Sequence, residues 1–120
     1  MLQKTGIEEL VQTELNRMDA ALAAAVRLLL VAPHLEQREW DYGAVGQTYP
    51  CWIVLEHQPS HTGIAYCAEG FGPAAPWGIL FLRGEDLSMG MDSGWFCSLE
   101  DAFRGSMACD LPTPPGYEVG

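Results

Sequence analysis

The sequence predicts an α+β fold, an antiparallel β-meander of three to five strands with a long N-terminal helix on one face and a short C-terminal helix. Apolar residues recur at spacings of three and four up to residue 31, and strand-like segments follow beyond residue 40. The 120 residues, 48% of them hydrophobic, suffice for one packed core without a metal or disulfide staple. We therefore predict a single domain over residues 1–120.

The N-terminal helix is predicted over about residues 6–31. Thr5 stands three residues before Glu8, the spacing of a capping box, and Pro33 ends the pattern because proline has no backbone amide to donate. Such a helix would be about 38 Å long. It could protrude, bend, or pair with a second copy of itself, which makes a homodimer through the N-terminal helix one hypothesis.

The β-rich region is predicted over about residues 40–97. A hairpin is indicated by YPCWIVLEH (49–57) and GIAYCAE (63–69) on either side of the turn-rich QPSHT. Alternation on the first strand favours Cys51, Ile53 and Leu55 as its core face. WGILFL (77–82) is predicted as the central strand, covered on both sides. Residues 87–96 are predicted as a fourth strand, whose interior glycines suggest a bulge.

The C-terminal part is predicted as a short helix over about residues 99–108 and an extended tail over 110–120. Ser98 and Asp101 have the spacing of a capping box, and Leu99, Ala102, Phe103 and Met107 share one side of the helix. The proline-rich tail contains no helical or strand-like pattern.

The formal net charge of −10 and the pI near 4.4 argue against binding to nucleic acids or anionic membranes. The longest apolar run, residues 20–32, is shorter than the roughly 20 residues that span a bilayer. No basic segment leads into a cleavage site, so a secretory signal is not expected. We expect a cytoplasmic protein with reduced, mostly buried thiols.

Two histidines and two cysteines are spaced symmetrically around the predicted hairpin turn, in the pattern C-x5-H-x3-H-x5-C. They are Cys51, His57, His61 and Cys67. The cysteines would lie roughly 15–20 Å from the histidines at the hairpin tip, too far for one metal site. Cys97 precedes a helix start, but neighbouring acids oppose a thiolate there. No serine-hydrolase or phosphate-loop motif is present. The sequence predicts no catalytic residue, metal or cofactor.

The acidic excess is concentrated near the C-terminus. Residues 1–35 carry 4 acids and 3 bases, residues 36–84 carry 5 and 2, and residues 85–120 carry 7 and 1, giving −1, −3 and −6. This pattern is consistent with a solvated acidic face or with a docking surface for a basic partner. The candidate docking residues are Glu85, Asp86, Asp92, Trp95, Glu100 and Asp101.

Six segments are spread over residues 40–103, a span of about half the chain: WDYG, YPCWIVLEH, GIAYCAEGFGP, PWGILFL, SMGMDSGWF and SLEDAF. They resemble a family of small bacterial proteins associated with immunity against polymorphic and contact-dependent-inhibition toxins. The resemblance implies a non-enzymatic cytosolic protein that binds and neutralises a basic toxin domain, often a nuclease. Alternatives are a small-ligand-binding or catalytic domain whose pocket is lined by Trp77, Trp95, Tyr66 and a cysteine, or a homodimeric scaffold.

Overall fold

A computed structural model describes residues 3–40, 44–83, 88–89 and 94–109. It confirms the α+β fold class, with a five-stranded antiparallel sheet in the order β1-β2-β3-β4-β5. The elements are helices α1 (Lys4–Asn16), α2 (Ala20–Arg27) and α3 (Leu99–Arg104), and strands β1 (Leu30–Glu39), β2 (Thr48–His57), β3 (Thr62–Tyr66), β4 (Trp77–Phe81) and β5 (Trp95–Phe96). The predicted tail over 110–120 lies outside the described residues.

The single helix predicted over residues 6–31 is wrong, because α1 and α2 are separate helices. The Asp19 carboxylate accepts a hydrogen bond from the backbone N–H of Leu22 at 2.8 Å, which caps the start of α2. The capping box predicted at Thr5 is not formed, since α1 begins at Lys4 without a side-chain cap. A homodimer through the N-terminal helix stays a prediction, but the unbroken length that suggested it is absent.

The end of the predicted helix is instead the edge strand β1. Among the described strands β1 is at the edge of the sheet, and Pro33 lies in the irregular part of its ladder between Leu30 and His34, so the missing amide of proline is tolerated there. The β-rich region therefore begins at Leu30, ten residues earlier than predicted.

The predicted hairpin is confirmed as β2 and β3, joined by a 3-10 turn over Gln58–Ser60. A register shift between Ile53 and Leu55 turns Leu55 to the opposite face from Cys51, so the predicted core face of β2 is correct only as far as Ile53. The strand at the centre of the sheet is β3 and not the predicted WGILFL segment, which forms β4. β4 is nevertheless an interior strand and buries Trp77 and Leu80 on opposite faces. Of the predicted strand 87–96, only β5 is observed, and residues 84–87 and 90–93 lie outside the described residues.

Both faces of the sheet are covered. The helix-side core packs α1, α2 and α3 against one face and includes Ile7, Val11, Leu22, Val26, Val54, Leu55, Ile64, Trp77, Leu99 and Phe103. The second core covers the other face and consists of Cys51, Ile53, Ala65, Cys67, Leu80, Met89 and Trp95, with partly buried residues that include Trp40, Tyr49 and Phe71. Two long-range bonds border the second core: Met89 N–H donates to the Glu39 carbonyl at 2.9 Å, and Arg38 Nη1 donates to the Phe81 carbonyl at 3.0 Å.

The short C-terminal helix is confirmed, although it ends at Arg104 rather than near residue 108. Ser98 caps it as predicted, since its hydroxyl accepts the Asp101 N–H at 3.1 Å. Glu14 of α1 supplies a second cap by accepting the Leu99 N–H at 2.8 Å. Two regions 85 residues apart are thereby joined through an amide of the first helical turn, a group that has no acceptor within its own helix.

Candidate functional site

The described docking candidates all make contacts within the chain. Trp95 is buried in the second core, and its indole N–H donates to the Met89 carbonyl at 2.8 Å. Glu100 accepts a hydrogen bond from Arg104 Nε at 2.9 Å, and the buried Asp101 accepts one from the Cys97 thiol at 3.3 Å. The Glu100 bond lies within α3, and the Asp101 bond links α3 to the residue directly after β5. Glu85, Asp86 and Asp92 lie outside the described residues, so their docking role stays a prediction.

A pair of facing cysteines is a feature of the second core that the sequence did not predict. Trp52 of β2 pairs with Tyr66 of β3, so the next residues outward, Cys51 and Cys67, lie opposite each other. Both belong to the second core, with exposures of 0% and 1%, whereas Cys97 is exposed and Cys109 is partly buried, so the predicted burial holds for two of the four thiols. The equal spacing of C-x5-H-x3-H-x5-C does not determine this pairing, because His57 pairs with Thr62 next to the turn, and the register shift between Ile53 and Leu55 brings Cys51 opposite Cys67.

The two thiols have different environments. The neighbouring Cys51 thiol has the largest effect on Cys67: together with the backbone N–H groups of Glu69 and Gly70, it holds the pKa of Cys67 below its usual value, at about 7, against the opposing effect of burial. The pKa of Cys51 is raised, mainly by its interaction with Cys67 and also by burial, while the Arg38 guanidinium lowers it.

Aromatic and sulfur side chains cover the pair. The Phe71 ring lies 5.5 Å from that of Trp40 in an edge-to-face contact and 5.6 Å from that of Trp95. A Cβ atom at Gly70 would overlap the end of the Met89 side chain and would lie 3.5 Å from Cys67 Sγ. Met89 therefore packs directly over the loop at Gly70, next to Cys67.

Gly78 allows the Trp95 ring to lie flat against β4, and its replacement by alanine is expected to lower the free energy of unfolding by about 1–3 kcal/mol. The added Cβ would overlap three atoms of the rigid indole ring. Urea denaturation followed by tryptophan fluorescence measures the loss. Gly94→Ala is the control, since its nearest new contact is the Ile79 carbonyl at 3.8 Å. Equal stability of the two variants would contradict this packing.

The predicted aromatic and cysteine-lined pocket is not formed by the residues named for it. Tyr66 and Trp77 contact each other edge to face at 4.9 Å in the helix-side core, whereas Trp95 and the cysteine pair lie in the second core. The sheet separates them. A shallow groove of about 220 Å³ lies elsewhere, between α1 and β1, with Glu8 and Gln12 on its rim.

The hairpin tip holds a chain of three hydrogen-bonding side chains. His57 Nδ1 lies 2.6 Å from the Ser60 hydroxyl, which lies 2.7 Å from the Thr62 hydroxyl. Ser60 also donates to the His57 carbonyl at 3.4 Å, so this contact fixes a local turn. Within the described ranges, no three His, Cys, Asp or Glu side chains come together in a way that could hold a metal ion.

Comparison with known proteins gives no relative. No protein-family model, curated protein or solved structure matches the chain. Among the described residues, no helix has the length and apolar character needed to cross a membrane. Functional inference therefore rests on charge and on the geometry of the two cores.

Proposed function

We propose that the chain is a non-enzymatic cytoplasmic immunity or inhibitor protein that binds and neutralises a basic bacterial toxin domain through an acidic surface. The observation that carries the proposal is the burial of cations in a chain that has only six Lys and Arg residues. The Arg38 and Arg104 side chains are each only 4% exposed and are paired with Glu36, and with Glu100 and Asp19, respectively.

The positive charges that remain on the surface are unevenly distributed. Three exposed cations lie in or directly after the N-terminal helices: Lys4, Arg17 and Arg27. Of the Lys and Arg residues after these helices, Arg83 is the exposed one. Acidic side chains, by contrast, continue along the sheet and its connections at Glu36, Glu39, Glu56 and Glu69. A negative potential with few cations favours fast, steered association with a basic partner.

Within this proposal, Glu85, Asp86 and Asp92 contact the partner directly. Their segment lies in sequence between β4 and β5, both of which are fixed by buried residues. Trp95 is buried in the second core and holds β5 there. Glu100 and Asp101 add negative charge on α3, and the bond from Cys97 to Asp101 links α3 to the end of β5, so that a docking surface would rest on rigid elements.

Neutralising Glu85, Asp86 and Asp92 together to Gln, Asn and Asn is expected to slow association by about tenfold or more at low salt and to flatten its salt dependence. The probe is the protein encoded immediately upstream, co-expressed with this chain, and the measurement is stopped-flow association over a range of salt concentrations. Steered association slows as salt screens the charges.

The matched control replaces Glu8, Glu9 and Glu39 by Gln, which removes the same three charges from exposed positions elsewhere. Its effect on the association rate should be clearly smaller. If both triple variants behave alike, charge acts globally and the docking surface is elsewhere. If the upstream protein is not basic or does not bind, the proposal of an acidic inhibitor is wrong.

A further inference from the structure

We propose that Cys51 and Cys67 form a redox-active thiol pair, in which Cys67 reacts with a small hydroperoxide and Cys51 converts the product to an intramolecular disulfide. The inference rests on the geometry of the second core and is independent of partner binding. It assigns a modification site to residues that would otherwise serve only as core packing.

The first argument is the cross-strand position of the pair. Residues directly opposite in an antiparallel ladder have Cα atoms about 4.5–5.5 Å apart, within the range that disulfides require. Cys51 and Cys67 each lie one residue beyond the paired Trp52 and Tyr66, and both side chains are buried in the second core. A disulfide can therefore form without a change in the register of β2 and β3.

The second argument is the asymmetry of the two thiols. The loop at Gly70 lies against Cys67, since a Cβ atom at Gly70 would be 3.5 Å from Cys67 Sγ. The Cys51 thiol and the backbone N–H groups of Glu69 and Gly70 lower the pKa of Cys67, which favours the thiolate on Cys67. The pKa of Cys51 is raised, so Cys51 keeps its proton, and it lies beside Cys67 in the second core. These surroundings assign Cys67 as the attacking thiol and Cys51 as the resolving one.

The chemistry is balanced with a hydroperoxide as the oxidant. The Cys67 thiolate attacks the terminal peroxide oxygen, an S–O bond forms, the O–O bond breaks, and the leaving hydroxide or alkoxide takes up a proton. Cys51 then attacks the sulfur of the Cys67 sulfenic acid, forming the S–S bond and releasing water that carries the Cys51 proton. Two thiols lose two electrons, and the hydroperoxide is reduced to water and an alcohol, or to two waters.

The burial of both thiols limits the oxidant to a small molecule. Both thiols are almost inaccessible to solvent, and Met89 and the loop at Gly70 cover Cys67. Hydrogen peroxide is little larger than water and can enter through a local opening, whereas a bulky aromatic disulfide reagent cannot. Cys97 is exposed but has the opposite chemistry, since partial burial and the hydrogen bond to Asp101 raise its pKa.

The test compares two reagents on the unmodified chain. Hydrogen peroxide at neutral pH is expected to oxidise the Cys51–Cys67 pair about tenfold or more faster than Cys97, because thiolate content governs the rate. A bulky aromatic disulfide reagent is expected to modify Cys97 first. Alkylation under denaturing conditions followed by peptide mass spectrometry locates the disulfide. A peroxide reaction that consumes Cys97 while Cys51 and Cys67 stay reduced would overturn the proposal.

The roles of the two thiols are tested by trapping the sulfenic acid with a cyclic 1,3-diketone during oxidation of the same chain. The adduct is expected on Cys67. In a C97S/C109S background, C51S should increase the adduct on Cys67, and C67S should leave Cys51 reduced at the same peroxide dose. Circular dichroism confirms that each variant is folded. An adduct on Cys51 in the unmodified chain overturns the assignment of roles, even if a variant fails to fold.

Discussion

Replacing Phe103 by alanine is expected to lower the free energy of unfolding by about 3–5 kcal/mol, the range observed when a fully buried aromatic side chain is truncated. Phe103 lies on α3 in the helix-side core, where it is almost completely buried. The six residues of α3 are too few to form a stable helix alone, so this packing holds it on the sheet. Urea denaturation monitored by far-UV circular dichroism measures the change.

The control for Phe103 is the same substitution at Phe81. This side chain lies on β4 and is 52% exposed, so Phe81→Ala removes much less buried surface and should cost clearly less, about 1 kcal/mol. The denaturant midpoint should fall in the Phe103 variant while the slope of the transition stays constant. Similar losses in the two variants would show that α3 is not held by its buried face.

The strand region could be predicted from sequence more accurately than the N-terminal region. The hairpin of β2 and β3 follows from β-branched and aromatic runs around a turn, which are local signals. The apolar residues near Leu30, however, satisfy both a helical period and an edge strand. Asp19 was the local signal that could have separated the helices, since aspartate is a preferred N-cap residue. The choice of strand at Leu30 depends on its pairing with Leu55, a contact that no local pattern contains.

Local patterns are equally insufficient for the candidate sites. The facing of Cys51 and Cys67 depends on the register shift between Ile53 and Leu55, since an unshifted ladder that pairs His57 with Thr62 would place Cys51 opposite Ala68. The burial of Trp95 is not implied, because its cover comes from Phe71 and Gly78, which are distant in sequence. Residues of one type can belong to a docking surface or to a core, and tertiary packing alone decides between them.

The contacts of Arg38 could not be predicted from sequence either, and they lead to the second large expected effect. Replacing Arg38 by methionine should lower the free energy of unfolding by about 2–3 kcal/mol. The guanidinium is 4% exposed, donates to Glu36 Oε1 through Nε at 2.9 Å and Nη2 at 2.6 Å, and reaches the Phe81 carbonyl, 43 residues away. Methionine retains much of the apolar packing and removes these donors.

The loss at Arg38 should be smaller than for a fully buried ion pair, because the Glu36 side chain is 38% exposed and can be hydrated when its partner is removed. Denaturation experiments measure it against Arg27→Met, an exposed position in α2 that should change stability by no more than about 0.5 kcal/mol. A double-mutant cycle with Glu36→Gln then separates the ion pair from the bond to Phe81. An Arg38 variant as stable as the Arg27 variant would contradict a structural role for this network.

The same substitution connects the network to the cysteine pair. Arg38 joins the end of β1 to the end of β4, and both strands border the second core in which Cys51 and Cys67 are buried. Weakening this connection should increase local opening, so a bulky thiol reagent should modify the pair faster in Arg38→Met than in Arg27→Met under native conditions. If stability falls while labelling of the pair is unchanged, Arg38 stabilises the sheet without closing the second core, and access to the thiols is controlled by the loop at Gly70.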